Sequence, residues 1–106
     1  MSLGNERVEM TAARAAAIQS RYVVGNKLKV IPAKRNNKLV VFHWLAQRFE
    51  IGRNYTEAEV NKALSEAHAD FATLRRGLYD EYFLNRADGY YWRTLEDQKL
   101  VLISAQ

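Results

Sequence analysis

The stretch Tyr55–Arg93 constrains the fold more than any other part of this 106-residue chain. Thr56 with Glu59 three residues later has the spacing of a capping box, in which the two side chains satisfy backbone N–H groups at a helix start. Asp70 can cap a second helix after a connection of about three residues. Asp88-Gly89 is a strong signal for a two-residue hairpin turn. Two short helices followed by a hairpin form the second half of a winged helix-turn-helix.

Apolar spacing predicts three helices with defined buried faces. The first should be capped by Asn36 or Asn37 and run to about Phe49. Its core face comprises Leu39, Phe42, Leu45, Ala46 and Phe49. The second should end near His68, and the third should run from Asp70 to Tyr82. Their buried faces comprise Val60, Ala63, Leu64, Ala67, Phe71, Leu74, Leu78 and Tyr82.

The segment before these helices predicts one further helix and one strand. Residues 5–26 are rich in alanine, the best helix former. The packing stripe of this helix would comprise Met10, Ala13, Ala17 and Ile18. Lys27–Ile31 alternates polar and apolar residues before Pro32, which predicts a short edge strand. We expect this strand to pair with the wing.

The wing strands are expected at Leu84–Ala87 and Tyr90–Leu95. A shift of one residue would exchange Tyr90 and Trp92 with Tyr91 and Arg93 on the inward side, so the register stays open. The apolar tail after them could add a strand, pack as a short helix, or dimerise.

We therefore predict an α+β, mainly helical fold: a winged helix-turn-helix with an extra N-terminal helix and a C-terminal β-hairpin wing. A single domain should span residues 1–106. Within it, residues 1–4 are interpreted as an expression scar, 5–26 as the N-terminal helix, 27–95 as the winged-helix core and 96–106 as the tail.

The charge distribution favours an anionic partner. The net charge is +4, but residues 1–53 hold 10 Lys/Arg against 3 Asp/Glu, whereas residues 54–106 hold 6 against 9. Such asymmetry is typical of proteins that bind polyanions, although a solvated basic face explains it equally well. The sequence has no run of 18 apolar residues and no signal-peptide pattern, so we expect no membrane span and a cytoplasmic location.

Several short segments together resemble a known family. They are Ile31-Pro32-Ala33-Lys34-Arg35, Tyr55-Thr56-Glu57, Glu59-Val60-Asn61, Asp70 with Leu74-Arg75-Arg76, and Tyr91-Trp92-Arg93. In this order they resemble a small bacterial domain of unknown function that is often appended to helix-turn-helix transcriptional regulators. The resemblance covers roughly residues 28–94. It implies a regulator-associated domain suspected of binding nucleic acid, and it implies no catalytic residues.

The winged-helix interpretation predicts binding of double-stranded DNA in bacterial transcription regulation. The third predicted helix would enter the major groove, where an arginine can bind guanine in bidentate fashion. The candidate DNA-binding residues are Thr73, Arg76 and Arg75 on this helix, Arg86 and Arg93 on the wing, and Lys34, Arg35 and Lys38 as phosphate contacts. Arg76 could instead pair with Asp80, and Arg75 could bridge to Asp70 or a neighbouring carboxylate.

The alternative is a protein-interaction or dimerisation domain of a regulator that does not itself read DNA. Val40 and Trp44 give the first core helix a second apolar side, and Leu100 and Leu102 lie in the apolar tail. Exposed apolar patches of this kind mark partner surfaces, possible homodimer contacts among them. Packing of the N-terminal helix on Trp44 explains the same pattern within one chain.

The sequence predicts no enzyme, metal site or cofactor. His43 and His68 are the only histidines, they are far apart, and the chain has no cysteine. No nucleophile elbow, phosphate-binding glycine loop or metalloprotease motif occurs. Stacking of the Tyr90–Trp92 aromatic group on bases remains a minor alternative to cross-strand packing.

Overall fold

Each of the four helices in the described part of the chain follows an N-cap residue whose backbone is extended or irregular. In the computed structural model, which describes residues 6–104, they are α1 Ala12–Tyr22, α2 Arg35–Ala46, α3 Glu57–Ser65 and α4 Phe71–Asp80. Hydroxyl or carboxylate oxygens of Thr11, Thr56 and Asp70 accept bonds from first-turn N–H groups of α1, α3 and α4. The predicted capping box at Thr56 and Glu59 is confirmed, and its bonds hold the pKa of the Glu59 carboxyl below its usual value.

The predicted cap of α2 is wrong. The helix begins at Arg35 with Lys34 as the N-cap, and no side chain bonds the free N–H groups there. Asn36 and Asn37 lie inside the first turn instead. The first turn of α2 also lacks an acidic residue, so the positive end of this helix is not neutralised by its own side chains.

Seven short strands complete the α+β architecture of the described residues. They are β1 Val8–Thr11, β2 Val23–Val24, β3 Lys27–Leu28, β4 Asn54–Thr56, β5 Leu84–Ala87, β6 Tyr90–Arg93 and β7 Leu100–Ile103. The order β4–β6–β5 gives one antiparallel three-stranded sheet, β2 and β3 form an antiparallel pair, and β1 and β7 pair in parallel.

The hairpin turn and the wing register follow from two positions. Asp88 and Gly89 both have positive φ, as a two-residue hairpin turn requires, so the predicted turn is confirmed. Tyr91 is buried and Tyr90 is exposed, which settles the open register in favour of Tyr91 facing inward. The prediction that the strand at Lys27–Ile31 pairs with the wing is wrong. Strand β4 pairs with β6 of the wing, whereas Lys27–Leu28 pairs with β2.

The N-terminal segment departs from a simple helix. Met10 belongs to strand β1, and α1 buries Ala15 and Ile18. Ala13 and Ala17 are exposed, so the predicted packing stripe is wrong at these two positions. The tail adds strand β7, and the Val8 N–H donates to the Lys99 carbonyl to begin its pairing with β1. Residues 1–5 and 105–106, including the interpreted expression scar, lie outside the described part of the chain.

The core lies between α2 and the surrounding elements. All five residues predicted for the core face of α2 are buried: Leu39, Phe42, Leu45, Ala46 and Phe49. Leu74 and Leu78 of α4 are also buried as predicted, but Tyr82 is 46% exposed. The helix ends at Asp80, and Tyr82 takes a left-handed conformation that returns the chain, so Phe83 occupies the core position instead.

Candidate nucleic-acid interface

The position of α4 depends on a close approach to α2. An ideal Cβ built on Gly77 would lie 2.3 Å from Cζ of Phe42, whose ring is buried and packs edge-on against Phe83. Only glycine therefore leaves room for this ring. The absence of a side chain at Gly77 brings the exposed side of α4 close to the first turns of α2.

Thr73 and Arg76 lie on this exposed side of α4, as the helical spacing predicts. They border a shallow groove of about 230 Å³ between α4 and α2. Asp80 and Glu81, at the end of α4, and Lys38 of α2 line the same groove. Within residues 6–104, Arg76 forms no ion pair with Asp80. The structure thus brings three of the predicted DNA-binding residues, Thr73, Arg76 and Lys38, to one groove.

Arg75 has a different environment from Arg76. Its guanidinium is half-buried, donates a hydrogen bond to Oδ1 of Asn61, and lies 3.8 Å from Oε1 of Glu57. The hydroxyl of Tyr91 donates to the same Glu57 carboxylate at 3.3 Å. Arg75 therefore connects α4 to α3 and, through Glu57, to the wing. The predicted bridge to a neighbouring carboxylate is confirmed.

Arg35 fixes the other end of α4. Its guanidinium donates two hydrogen bonds to the Glu81 carboxylate, at 3.0 and 2.8 Å, and both side chains are largely shielded from solvent. Bidentate pairs of this type are the stronger class of charged hydrogen bond. The charge of Arg35 is thus compensated by Glu81, in contrast to the neighbouring Lys34.

The wing arginines also differ from each other. Arg86 is exposed on β5, with its guanidinium 5.3 Å from the centre of the Tyr91 ring. Arg93 is half-buried and donates to the carbonyl of Phe49 at 3.2 Å. Only Arg86 presents its charge to solvent in the manner that phosphate binding requires.

Lys34 belongs to a second, strongly basic region, of which the sequence predicted Lys34 and Arg35 but not Arg14 and Arg21. A concavity of about 380 Å³ is bordered by two helices, α1 and α2. Its lining residues are Arg14, Arg21, Lys34, Arg35, Asn36 and Asn37. Arg14 and Arg21 are seven residues apart, which places them on one face of a helix, and this spacing in a segment without acidic residues was the available signal.

The predicted interface residues divide into buried and exposed positions. Val40 and Leu100 are 2% and 1% exposed, so both belong to the core of the chain and offer no surface to a partner. Trp44 is half-buried, with the Arg48 guanidinium 4.7 Å from its ring centre. Leu102 remains exposed on β7.

His43 is half-buried and packs beside Phe83. Burial, and secondarily the charge of Arg93, lower the pKa of its imidazole. The ring lies edge-on to Phe83, with 6.5 Å between centres.

Across residues 6–104, no group of three His, Cys, Asp or Glu side chains has the arrangement of a metal site. None of the four helices has the length and apolar character needed to cross a membrane.

Comparison with known proteins identifies the family. Residues 27–93 match the model of a family described as "Uncharacterized protein conserved in bacteria (DUF2087)", and the chain belongs to this family. Neither the curated proteins nor the solved structures give a significant match. The match begins at β3 and ends at β6, so α1, β1 and β7 lie outside it. The resemblance to a small bacterial domain of unknown function is thereby confirmed.

Proposed function

We propose that this member of an uncharacterized bacterial family is a non-enzymatic winged-helix domain that binds duplex DNA in transcription regulation. Helix α4 would enter the major groove, and the β5–β6 hairpin would serve as the wing. Thr73 and Arg76 would contact base edges, because they occupy the exposed face of α4 and have no competing ion pair within the described chain.

The connectivity of the helices and the three-stranded sheet carries the proposal. The order α2–β4–α3–α4–β5–β6, with β4 pairing to the second hairpin strand, is the connectivity expected for a winged helix-turn-helix. Such a fold alone does not establish a function. The groove that joins Thr73, Arg76 and Lys38 adds the chemical argument, since it combines a base-reading side chain with a phosphate-binding lysine.

The environment of each arginine refines the proposed roles. Arg75, Arg35 and Arg93 already bond to protein oxygens, so we assign them to holding α4 and the wing in place. Lys34, Lys38 and Arg86 retain the role of phosphate contacts. This division predicts that base specificity depends on Arg76 and far less on Arg75.

The experiment is a fluorescence-anisotropy titration of a mixed pool of labelled duplexes over a salt series. Affinity should fall steeply as salt rises, because each phosphate contact releases about 0.9 counterion. Selection from the pool should yield a preferred sequence. Arg76→Ala should weaken binding to this sequence by about 1–3 kcal/mol more than it weakens binding to the unselected pool. Arg7→Ala, which removes the same charge outside the groove, is the matched control.

Two results would contradict the proposal. The first is no binding to duplex DNA at low salt by a folded protein. The second is an equal effect of Arg76→Ala and Arg7→Ala, since a base-reading arginine must matter more than a remote charge.

A second candidate function, homodimerisation, has one observation in its favour. Strands β1 and β7 form a two-stranded parallel pair, and Leu102 and Ile103 on β7 are 38% and 43% exposed. Parallel strands are usually covered on both faces, and a second copy of the chain would cover the exposed face of this pair. Light scattering at high concentration tests it: a dimer that Leu102→Lys dissociates would favour this function, and a strict monomer would exclude it.

A further inference from the structure

The concavity between α1 and α2 carries positive charge that is not neutralised by any carboxylate in its lining. Arg14, Arg21 and Lys34 border it, and among residues 6–104 none of the three forms an ion pair. Within the part of the chain that the structure describes, Arg35 is the one lining cation with a carboxylate partner, Glu81. No Asp or Glu lines the concavity, so these like charges repel each other across it.

Arg14 and Arg21, unlike Arg35, make no hydrogen bond through their guanidinium groups within residues 6–104. Arg14 contributes its backbone N–H to the cap at Thr11, and its guanidinium forms no ion pair with any residue from 6 to 104. Arg14 and Arg21 are exposed, and Arg21 has only a distant aromatic neighbour, with 5.9 Å to the centre of the Tyr22 ring. Stability therefore does not explain why Arg14, Arg21 and Lys34 lie around one concavity, whereas an anionic ligand does.

The concavity also lies beside the surface proposed to bind DNA. Lys34 borders it, and Lys38, one helical turn further along α2, borders the groove that contains Arg76. The Lys38 N–H donates to the Lys34 carbonyl at 2.9 Å, so the two residues are stacked one turn apart. Exposed cations thus extend from Arg76 on α4 across α2 to α1, with Asp80 as the exposed carboxylate at the α4 end. A linear polyanion matches such a track better than a small isolated anion.

We infer that the concavity between α1 and α2 binds backbone phosphates of duplex DNA flanking the segment contacted by α4, with Arg14 and Arg21 as the added contacts. This inference rests on the proposed DNA-binding function. It assigns a role to α1, which lies outside the family match at residues 27–93. Because phosphates carry no sequence information, Arg14 and Arg21 contribute affinity for every sequence equally.

The test compares the full chain with the double variant Arg14→Gln/Arg21→Gln in the same anisotropy assay. Each lost phosphate contact lowers the salt slope by about 1, so the slope of log affinity against log salt should fall by about 2. Affinity at 0.1 M salt should fall roughly tenfold or more for both the pool and the selected sequence. The charge-preserving pair Arg14→Lys/Arg21→Lys should retain most of the slope.

The control pair Arg7→Gln/Lys62→Gln removes the same net charge away from both the concavity and the α4 groove. If the wild type binds DNA and the Arg14/Arg21 variant has the slope of this control, the inference is refuted while the proposed function stands. If the folded wild type does not bind duplex DNA, both fail. A slope lowered by the Gln pair and retained by the Lys pair would support the inference.

Discussion

Replacement of Gly77 by alanine tests how closely α4 packs on α2. In an ordinary helix interior, alanine is favoured over glycine by about 1 kcal/mol, so a sequence-based argument predicts a more stable protein. The structure predicts the opposite sign. The added methyl group would lie 2.3 Å from Cζ and 2.7 Å from Cε2 of the Phe42 ring.

The magnitude follows from the inability of the ring to move. Phe42 is 2% exposed and packs on Phe83, which is fully buried, so neither can yield into solvent. Overpacking of a core by one methyl group costs about 1–3 kcal/mol, and contacts this short belong at the upper end. After the gain in helix propensity, Gly77→Ala should destabilise the protein by about 2 kcal/mol. For a domain of this size the melting temperature should fall by about 8–16 °C.

Thermal and urea unfolding, followed by circular dichroism, measure the effect. The matched control is Gly77→Ala combined with Phe42→Leu, which removes the ring that the methyl group meets. The cost of Gly77→Ala should be smaller in the Phe42→Leu background than in the wild type, because the two positions are in contact. An unchanged or raised melting temperature for the single variant would show that α4 is not held by this contact.

Three further predictions concern the cap, the buried imidazole and the pair at the end of α4. Thr56→Val removes the hydroxyl that caps α3 and should cost about 1 kcal/mol in urea unfolding; a cost near zero would refute the capping role. Because the folded pKa of His43 is lowered, the unfolded chain binds more protons as pH falls through 6.5, so stability should decline below that pH. His43→Gln should flatten this decline between pH 7.5 and 5.5, and an unchanged pH dependence would contradict it. Arg35→Ala leaves the Glu81 carboxylate without its partner and should cost about 1.5–3 kcal/mol. In a double-mutant cycle with Glu81→Ala, additive costs would exclude a coupled pair.

Local signals explain most of what the sequence predicted correctly. The capping box at Thr56, the cap at Asp70 and the Asp88-Gly89 turn each depend on residues at most three apart. The core face of α2 is equally local, because helical periodicity alone orders its apolar residues. The same reasoning predicted that Thr73 and Arg76 lie together on the exposed side of α4.

The errors arose where distant residues decide the outcome. The pairing of β4 with β6 joins residues far apart in sequence, and β4 is only three residues long. The pairing of Arg35 with Glu81, which lies 46 residues away, was not predicted. At Tyr82 the helical pattern continues in the sequence, whereas the chain turns through a left-handed residue so that Phe83 can reach the core.

The parallel pairing of β1 with β7 has a consequence for the order in which the chain is assembled. Val8 lies opposite Leu100, so this contact closes a loop that comprises almost the whole described chain. Closing so long a loop costs more entropy than forming any hairpin, and we expect the pairing to form after the elements from α2 to β6. In unfolding, the same pair should open first and release α1 from α2. A ligand that bridges α1 and α2 would then slow this opening, so that protection of the β1 and β7 amides from hydrogen exchange would report occupancy of the concavity between α1 and α2.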